Sequence, residues 1–341
     1  MRTADLHTHF WPQSFLDTTA AGKPWFGWTL ESDGGDGLIL TGGGYGPYLV
    51  KGYHRVDLKD PEMRIGRRIA EQGIDFEAVM IVGYLWSYHL DESESSALAR
   101  DVNDELAALE KEDADHFSGL AHLPLPHTGA SIAEVERCVR DLGLRHFAVA
   151  SHVNGRNLDD PTIAPVVEAI AEAGGTLSVH PAFFDKIGEH DRLSSTLFRN
   201  GLAAPLEAGV ALISLMGTGV FDRYPDFTAW VSHGGGASMY AMGRFQRRYL
   251  AMDPSERPMP HPPKEYLRRF YYGNLVHDDE SLRLLLDRVG SDRVTIGTDH
   301  PFPWDHAGGS ANWIRGADYL SPEDRDNILW RNAGTFLGVD L

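Results

Sequence analysis

The chain has 341 residues, 42% hydrophobic and 23% charged, which is close to globular averages and excludes a disordered or fibrous protein. Lys and Arg number 31 against 49 Asp and Glu, a formal net charge of −18. No basic run interrupts this acidity, so the field disfavours nucleic acid and anionic membrane as partners, and an anionic substrate must be met by locally placed Arg or Lys.

The N-terminus reads Met1-Arg-Thr-Ala-Asp5, without the apolar core of a secretory signal. Apolar runs such as Ala211 to Leu215 fall far short of the ~20 residues that span a bilayer. A cytoplasmic protein is expected. Cys138 is the only cysteine, which leaves no disulfide framework and no thiolate metal site. It lies in the helical pattern Ile132 to Val139 and reads as a small buried residue. The sixteen histidines invite a search for metal ligands.

In chain order, the first predicted strand is Ala4 to His9, ending in Asp5-Leu-His7-Thr-His9. Residues two apart in a strand share a face, so His7 and His9 can hold one ion. Phe10 to Pro61 follows, rich in Gly and aromatics and without a helix of barrel length. Its place after the first strand predicts an insertion that covers an active site. Further strands are predicted at Ala78 to Gly83, Phe117 to Pro124, Leu144 to His152, Thr176 to His180, Thr228 to His233, Phe270 to Asn274 and Arg293 to Asp299.

Helical periodicity fills the intervals. Ala97 to Leu109 carries Leu98, Val102, Leu106 and Leu109. Pro161 to Ala173 places Ile163, Val166, Val167 and Ile170 on one face, with Asp160 as N-cap and Pro161 as the first helical residue. Ser281 to Val289 repeats the pattern with Leu282, Leu285, Leu286 and Val289. Eight strands alternating with helices predict a closed (β/α)₈ TIM barrel of class α/β, one domain spanning 1–341 with the 10–61 insertion as a lid.

His180, His233 and Asp299 each end an apolar strand, as His7 and His9 do. Catalytic groups of barrel enzymes sit at the C-terminal strand ends. A purely structural role would require a separate hydrogen-bond partner for each buried imidazole or carboxylate. Three imidazoles and a carboxylate suit Zn²⁺, with Mn²⁺, Fe²⁺ and Co²⁺ also compatible. The fourth-strand segment Leu144 to Val153 has neither Lys nor Glu to bridge a second ion, so a single divalent ion is expected.

These residues resemble the amidohydrolase superfamily, and within it the subgroup of aminocarboxymuconate-semialdehyde decarboxylase. The matching phrases are Asp5-Leu-His-Thr-His9, Val153-Asn-Gly-Arg-Asn-Leu-Asp-Asp160, Val179-His-Pro181, Gly219-Val-Phe-Asp-Arg-Tyr-Pro225, Ser232-His-Gly-Gly-Gly-Ala237, Leu275-Val-His-Asp278 and Gly297-Thr-Asp-His-Pro-Phe302. The resemblance implies metal ligation by His7, His9, His180 and Asp299, with His233 as the acid/base beside a metal-bound water. It also implies that Arg244 reaches a substrate carboxylate across a homodimer interface. The chain departs from the pattern at Tyr271-Tyr-Gly-Asn274 and at His300, and the 10–61 insertion matches poorly.

The expected activity is non-oxidative decarboxylation of an aromatic or unsaturated carboxylic acid. A bound ion lowers the pKa of its water from about 15.7 to roughly 7, and an imidazole with a pKa near ~6.5 can take or return the proton. Arg244, and Lys51 and Arg55 within the insertion, are candidate carboxylate partners. Phe302 can stack on a planar substrate, as can Trp25, Phe26 and Trp28. Hydrolysis of an amide, lactone or cyclic ester, hydration of a double bond, and metal-dependent binding without turnover remain open alternatives.

Overall fold

The computed structural model describes residues 2–34, 37–42, 45–50, 61–181, 193, 195–302 and 304–341. Eight parallel strands form the barrel, each hydrogen-bonded to the next barrel strand along the chain. They are β1 (Ala4–Phe10), β5 (Phe76–Ile81), β6 (Phe117–His122), β7 (His146–Ala150), β8 (Thr176–His180), β9 (Ala229–Val231), β10 (Phe270–Gly273) and β11 (Val294–Thr295). The eight sequence-predicted strands all fall on these elements. Every residue of β1, β5 and β6 is buried, as expected when a parallel sheet is covered by helices outside and filled by side chains within.

The seam between the first and last strands is closed by backbone hydrogen bonds. Leu6 N donates to Ile296 O at 3.1 Å, Asp299 N to His7 O at 2.8 Å, and His9 N to His300 O at 2.7 Å. The seam thus runs directly past three of the strand-end residues.

The helices begin where local chemistry dictates. Glu92–Glu112 is capped by Asp91, which accepts from Glu94 N, and buries Leu98, Val102 and Leu106. Asp278 likewise caps Asp279–Val289 through Ser281 N. The helix predicted from Pro161 starts instead at Ala164, with Pro165 in its first turn. Asp160 accepts from the Thr162 N and hydroxyl groups, which ties 160–162 into a turn and delays the helix. Cys138 is buried.

One helical run, Arg199–Gly217, does reach the length and hydropathy of a membrane span, and more than half of it is buried. It combines Arg199–Ala203 and Ala204–Gly217, and Leu212, Leu215 and Met216 are fully buried. It is a core helix of the barrel wall, longer than the expectation of short apolar runs allowed.

The segment after β1 is ordered locally. It contains the helix Gln13–Ala20 and an antiparallel sheet of β2 (Thr29–Ser32), β3 (Leu38–Gly42) and β4 (Tyr45–Val50). Trp25 and Trp28 are buried; the Trp28 indole donates to Ser87 Oγ at 2.8 Å, and Trp25 to Ser14 and Asp101. Aromatic burial therefore fastens this segment to the chain that follows β5 and to the helix Glu92–Glu112.

Beneath the mouth of the barrel lies a buried ion network. Arg64 and Arg68, from the helix Pro61–Gln72, both bind Glu77, at 2.5 and 3.0 Å. Arg68 also binds Asp5 at 2.6 Å, and Arg64 donates to His9 O at 2.8 Å. Burial alone would raise the Glu77 carboxyl, but the two guanidiniums hold it down, to about 2. Removing one partner of such a group strands the others without water. Glu77→Gln is expected to destabilise the protein by about 3–5 kcal/mol at pH 7. Because the folded-state pKa is depressed, this contribution is complete above the unfolded carboxylate range and fades as pH falls toward 2. Urea denaturation at pH 7 and pH 3 should therefore show the difference between variant and wild type shrinking at the lower pH.

Candidate metal centre

His7 and His9 leave β1 on one face, His180 ends β8, and Asp299 follows β11. Their ligand atoms all lie within 4.8 Å of one another, and all four residues are buried. Asp299 Oδ1 is 2.9 Å from His9 Nε2, 3.2 Å from His7 Nε2 and 3.8 Å from His180 Nε2. The His7, His9 and His180 rings sit at centroid distances of 4.8 to 5.5 Å, each pair edge to face.

The donor set fits a divalent cation. Both ring nitrogens of His7 and of His180 are buried and lack a hydrogen-bond partner among the described residues, a costly state unless something else receives their lone pairs. Burial keeps His9 and His180 below the ordinary imidazole range against the opposing pull of Asp299. For Asp299 itself, burial would raise the carboxyl, yet His7 and its fellow imidazoles bring it well below the usual range. Neutral imidazoles and an ionised carboxylate are the forms that ligate metal. The His9 Nδ1 lies 3.4 Å from Ile81 O, a contact that turns Nε2 toward the cluster.

His233 follows β9 with its ring 5.1 Å from His7 and 5.9 Å from His180. It lines the cavity while its ring is otherwise enclosed. Burial, and next the adjacent His7, hold it well below its ordinary range, as a neutral imidazole. Three cavity-lining residues, His233, His277 and Asp299, adopt positive φ of 51°, 69° and 62°. Such backbone is strained for residues with a side chain and gathers at functional sites. Small residues make room for these turns. A Cβ on Gly297 would stand 2.9 Å from that of His7, and one on Gly236 would run into the Pro205 carbonyl.

The cluster lies at the edge of a cavity of about 830 Å³. Phe302 lines it, with its ring 5.4 Å from His9 and 5.9 Å from Tyr84. Trp25, Phe26 and Trp28 do not line it. Arg244 is exposed on the helix Ser238–Leu250 and stands outside the cavity of its own chain. Lys51 and Arg55 lie outside the described residues. Asn154 turns away and donates to Tyr88 O at 2.7 Å. His300 has its Nε2 buried and is held neutral, at about 2, by burial and by the nearby Arg64 and Arg68.

Sequence reasoning passed over Tyr84, Arg199 and His277, all of which line the cavity. For His277 a signal was present, since Leu275-Val-His277 follows the seventh barrel strand much as His233 follows the sixth. Tyr84 and Arg199 lie in connections without a distinguishing pattern.

The chain is similar to known proteins in sequence and in fold. A family model described as amidohydrolase matches residues 4–339. A 2-amino-3-carboxymuconate-6-semialdehyde decarboxylase of Dictyostelium discoideum is 30% identical, over 98% of this chain and 91% of its own. A gamma-resorcylate decarboxylase of Polaromonas sp. is 27% identical, over 82% and 86%. Among solved structures, a dihydroxybenzoic acid decarboxylase of Polaromonas sp., with bound manganese and 2-nitroresorcinol, has a TM-score of 0.75 at 21% identity, covering 99% of this chain and 97% of that one.

The ligand assignment has a direct test. His180→Ala should lose the ion on dialysis, whereas His233→Ala should retain it, as read by elemental analysis of the folded proteins. Equal metal retention in both would contradict the assignment. With its barrel, its strand-end cluster and a family match over almost its full length, the chain belongs to the amidohydrolase family.

Proposed function

We propose that this chain is a metal-dependent carboxy-lyase that removes CO₂ without oxidation from an aromatic or unsaturated carboxylic acid. The observation that carries the reading is the convergence of His7, His9, His180 and Asp299 at a cavity that also presents His233. Two relatives, at 30% and 27% identity, are decarboxylases by name.

A divalent ion held by these four residues would supply Lewis acidity toward a carboxylate, phenolic or carbonyl oxygen. The protein's own groups do the rest. Phe302 and Tyr84 supply an aromatic part of the wall, against which a planar acid would be oriented and screened from water. Loss of CO₂ leaves an electron pair on the substrate carbon, which must be taken up by a proton. His233, neutral in its enclosed position, accepts a proton from water or a substrate hydroxyl and returns it at that carbon.

In this proposal the ion is zinc, which three imidazoles and one carboxylate suit. The manganese bound to the Polaromonas neighbour is the alternative, and elemental analysis of the purified protein decides between them. The working form is a homodimer in which Arg244 of one copy reaches the cavity of the other. Support comes from the helix Ser238–Leu250, which exposes Tyr240, Phe245 and Leu250 alongside Arg244, with Tyr240 at the cavity rim. Tyr240 and Arg244 stand one helical turn apart on the same face, so a copy docked over the rim would meet both.

Chelator-sensitive CO₂ release from hydroxybenzoates or carboxymuconate-like acids is the expected outcome of an activity screen. Base consumption in a pH-stat without CO₂ would move the reading to hydrolysis of an amide or lactone. For the dimer, mixing Arg244→Ala with His233→Ala chains should restore part of the activity that each lacks alone, because one of the two sites in a mixed dimer is then complete. No restoration would remove Arg244 from the neighbouring site.

A further inference from the structure

The wall of the cavity changes character from one arc of the barrel to another. Phe302, after β11, and Tyr84, after β5, line it with aromatic rings on the His9 side. Next to His233, the connections that follow β9 and β10 line it with aliphatic side chains instead: Met239, Val276, Leu284 and Leu285. The polar residues of that stretch are Ser281, which is half-buried, and Tyr240 and His277, which are exposed and so stand at the rim. The glycines after His233 are what let these elements close on the chain. A Cβ on Gly234 would stand 2.6 Å from Val276 Cγ1 and 3.3 Å from Leu285 Cδ2, and one on Gly235 would stand 2.9 Å from Met239 Cε. The acid/base residue is therefore followed directly by an apolar lobe of the same cavity.

A simple ring acid does not fill this space. At roughly 30 Å³ for each water-sized atom, a hydroxybenzoate of about ten non-hydrogen atoms takes up about 300 Å³ of a cavity of about 830 Å³. An arginine side chain entering from a second copy would take about 200 Å³ more by the same measure, which still leaves about 300 Å³. We propose that the substrate carries an aliphatic chain next to the carboxylate that is lost, and that the lobe of Met239, Val276, Leu284 and Leu285 receives it. This rests on the decarboxylase reading of the same cavity. The reacting carbon must lie beside the cluster and His233, since the proton is returned there, while the ring lies against Phe302 and Tyr84. The lobe begins at the residues that follow His233, so a substituent on the neighbouring carbon is the one that reaches it. Water held against an apolar wall is displaced at a gain by a chain that needs no hydrogen bonds, whereas a charged or hydroxylated substituent would lose its hydration there without a partner.

The test is calorimetric binding of ortho-methyl-, ortho-ethyl-, ortho-propyl- and ortho-butylbenzoate to the Mn²⁺-loaded protein, with Val276→Thr and Leu284→Gln as variants that keep side-chain size and change polarity. In wild type each added methylene should tighten binding roughly three- to fourfold, so the butyl acid should bind about thirtyfold more tightly than the methyl acid, or better. The slope along the series should flatten in both variants, with circular dichroism and metal content showing that they are folded. Affinity that stays level or falls along the series, in protein that releases CO₂ from hydroxybenzoates, overturns the lobe and leaves the decarboxylase reading standing. A slope unchanged in both variants places the chain elsewhere in the cavity and overturns it equally. If no acid of the series binds and no hydroxybenzoate is decarboxylated, the decarboxylase reading fails and the lobe falls with it.

Discussion

Everything at this site follows from placing one carboxylate among three imidazoles at the buried end of a cavity. Asp299 is 8% exposed and His7 and His9 are fully buried. The nitrogen and oxygen lone pairs of such a set are directed at a common region and repel one another unless a cation, or a proton shared as between His9 and Asp299, lies between them. The rest of the molecule holds those donors against that repulsion. The strained backbone at Asp299 and His233, the glycine under His7 and the hydrogen bond from Arg64 to the His9 carbonyl all restrain groups that would otherwise move apart.

The ion network of Arg64, Arg68, Glu77 and Asp5 is the counterpart on the protein side. Two guanidiniums and two carboxylates are buried together, and Asp5 accepts from the backbone N–H of both His7 and Thr298. This ties the first strand to the chain just before Asp299. A buried ion pair adds little net stability compared with apolar packing, so its service here is geometric: it sets the register of the two segments that carry three of the four donors.

Much of this was legible in the sequence because two simple periodicities carried it. Apolar strands ending in a polar residue gave the positions of His7, His9, His180, His233 and Asp299, and the helical repeat gave the intervening helices. The rule was selective rather than sufficient. His122 also ends a barrel strand and is buried, yet it stacks on Tyr88 and does not line the cavity. What could not be read was the content of connections. Trp25 and Trp28 pass equally for stacking platforms and for core anchors until Ser87 and Asp101 are seen beside them. Arg199 sits on a helix whose remaining residues spell a core helix, so nothing in its neighbourhood advertises a cavity. The late start of the helix at Ala164 came from a side-chain turn at Asp160 that competes with the cap.

The seam of the barrel gives the centre an unusual relation to the order in which the chain is made. His7 and His9 are made long before Asp299, and the contact between His9 Nε2 and Asp299 Oδ1 spans 290 positions. Such distant pairings form late, since loop closure must precede them. Until the last barrel strand docks, the growing chain carries His7, His9 and His180 but no carboxylate to complete the set, so a partly formed barrel offers an ion only an incomplete grip. A complete set of donors thus exists only once the first and last strands of the barrel have met.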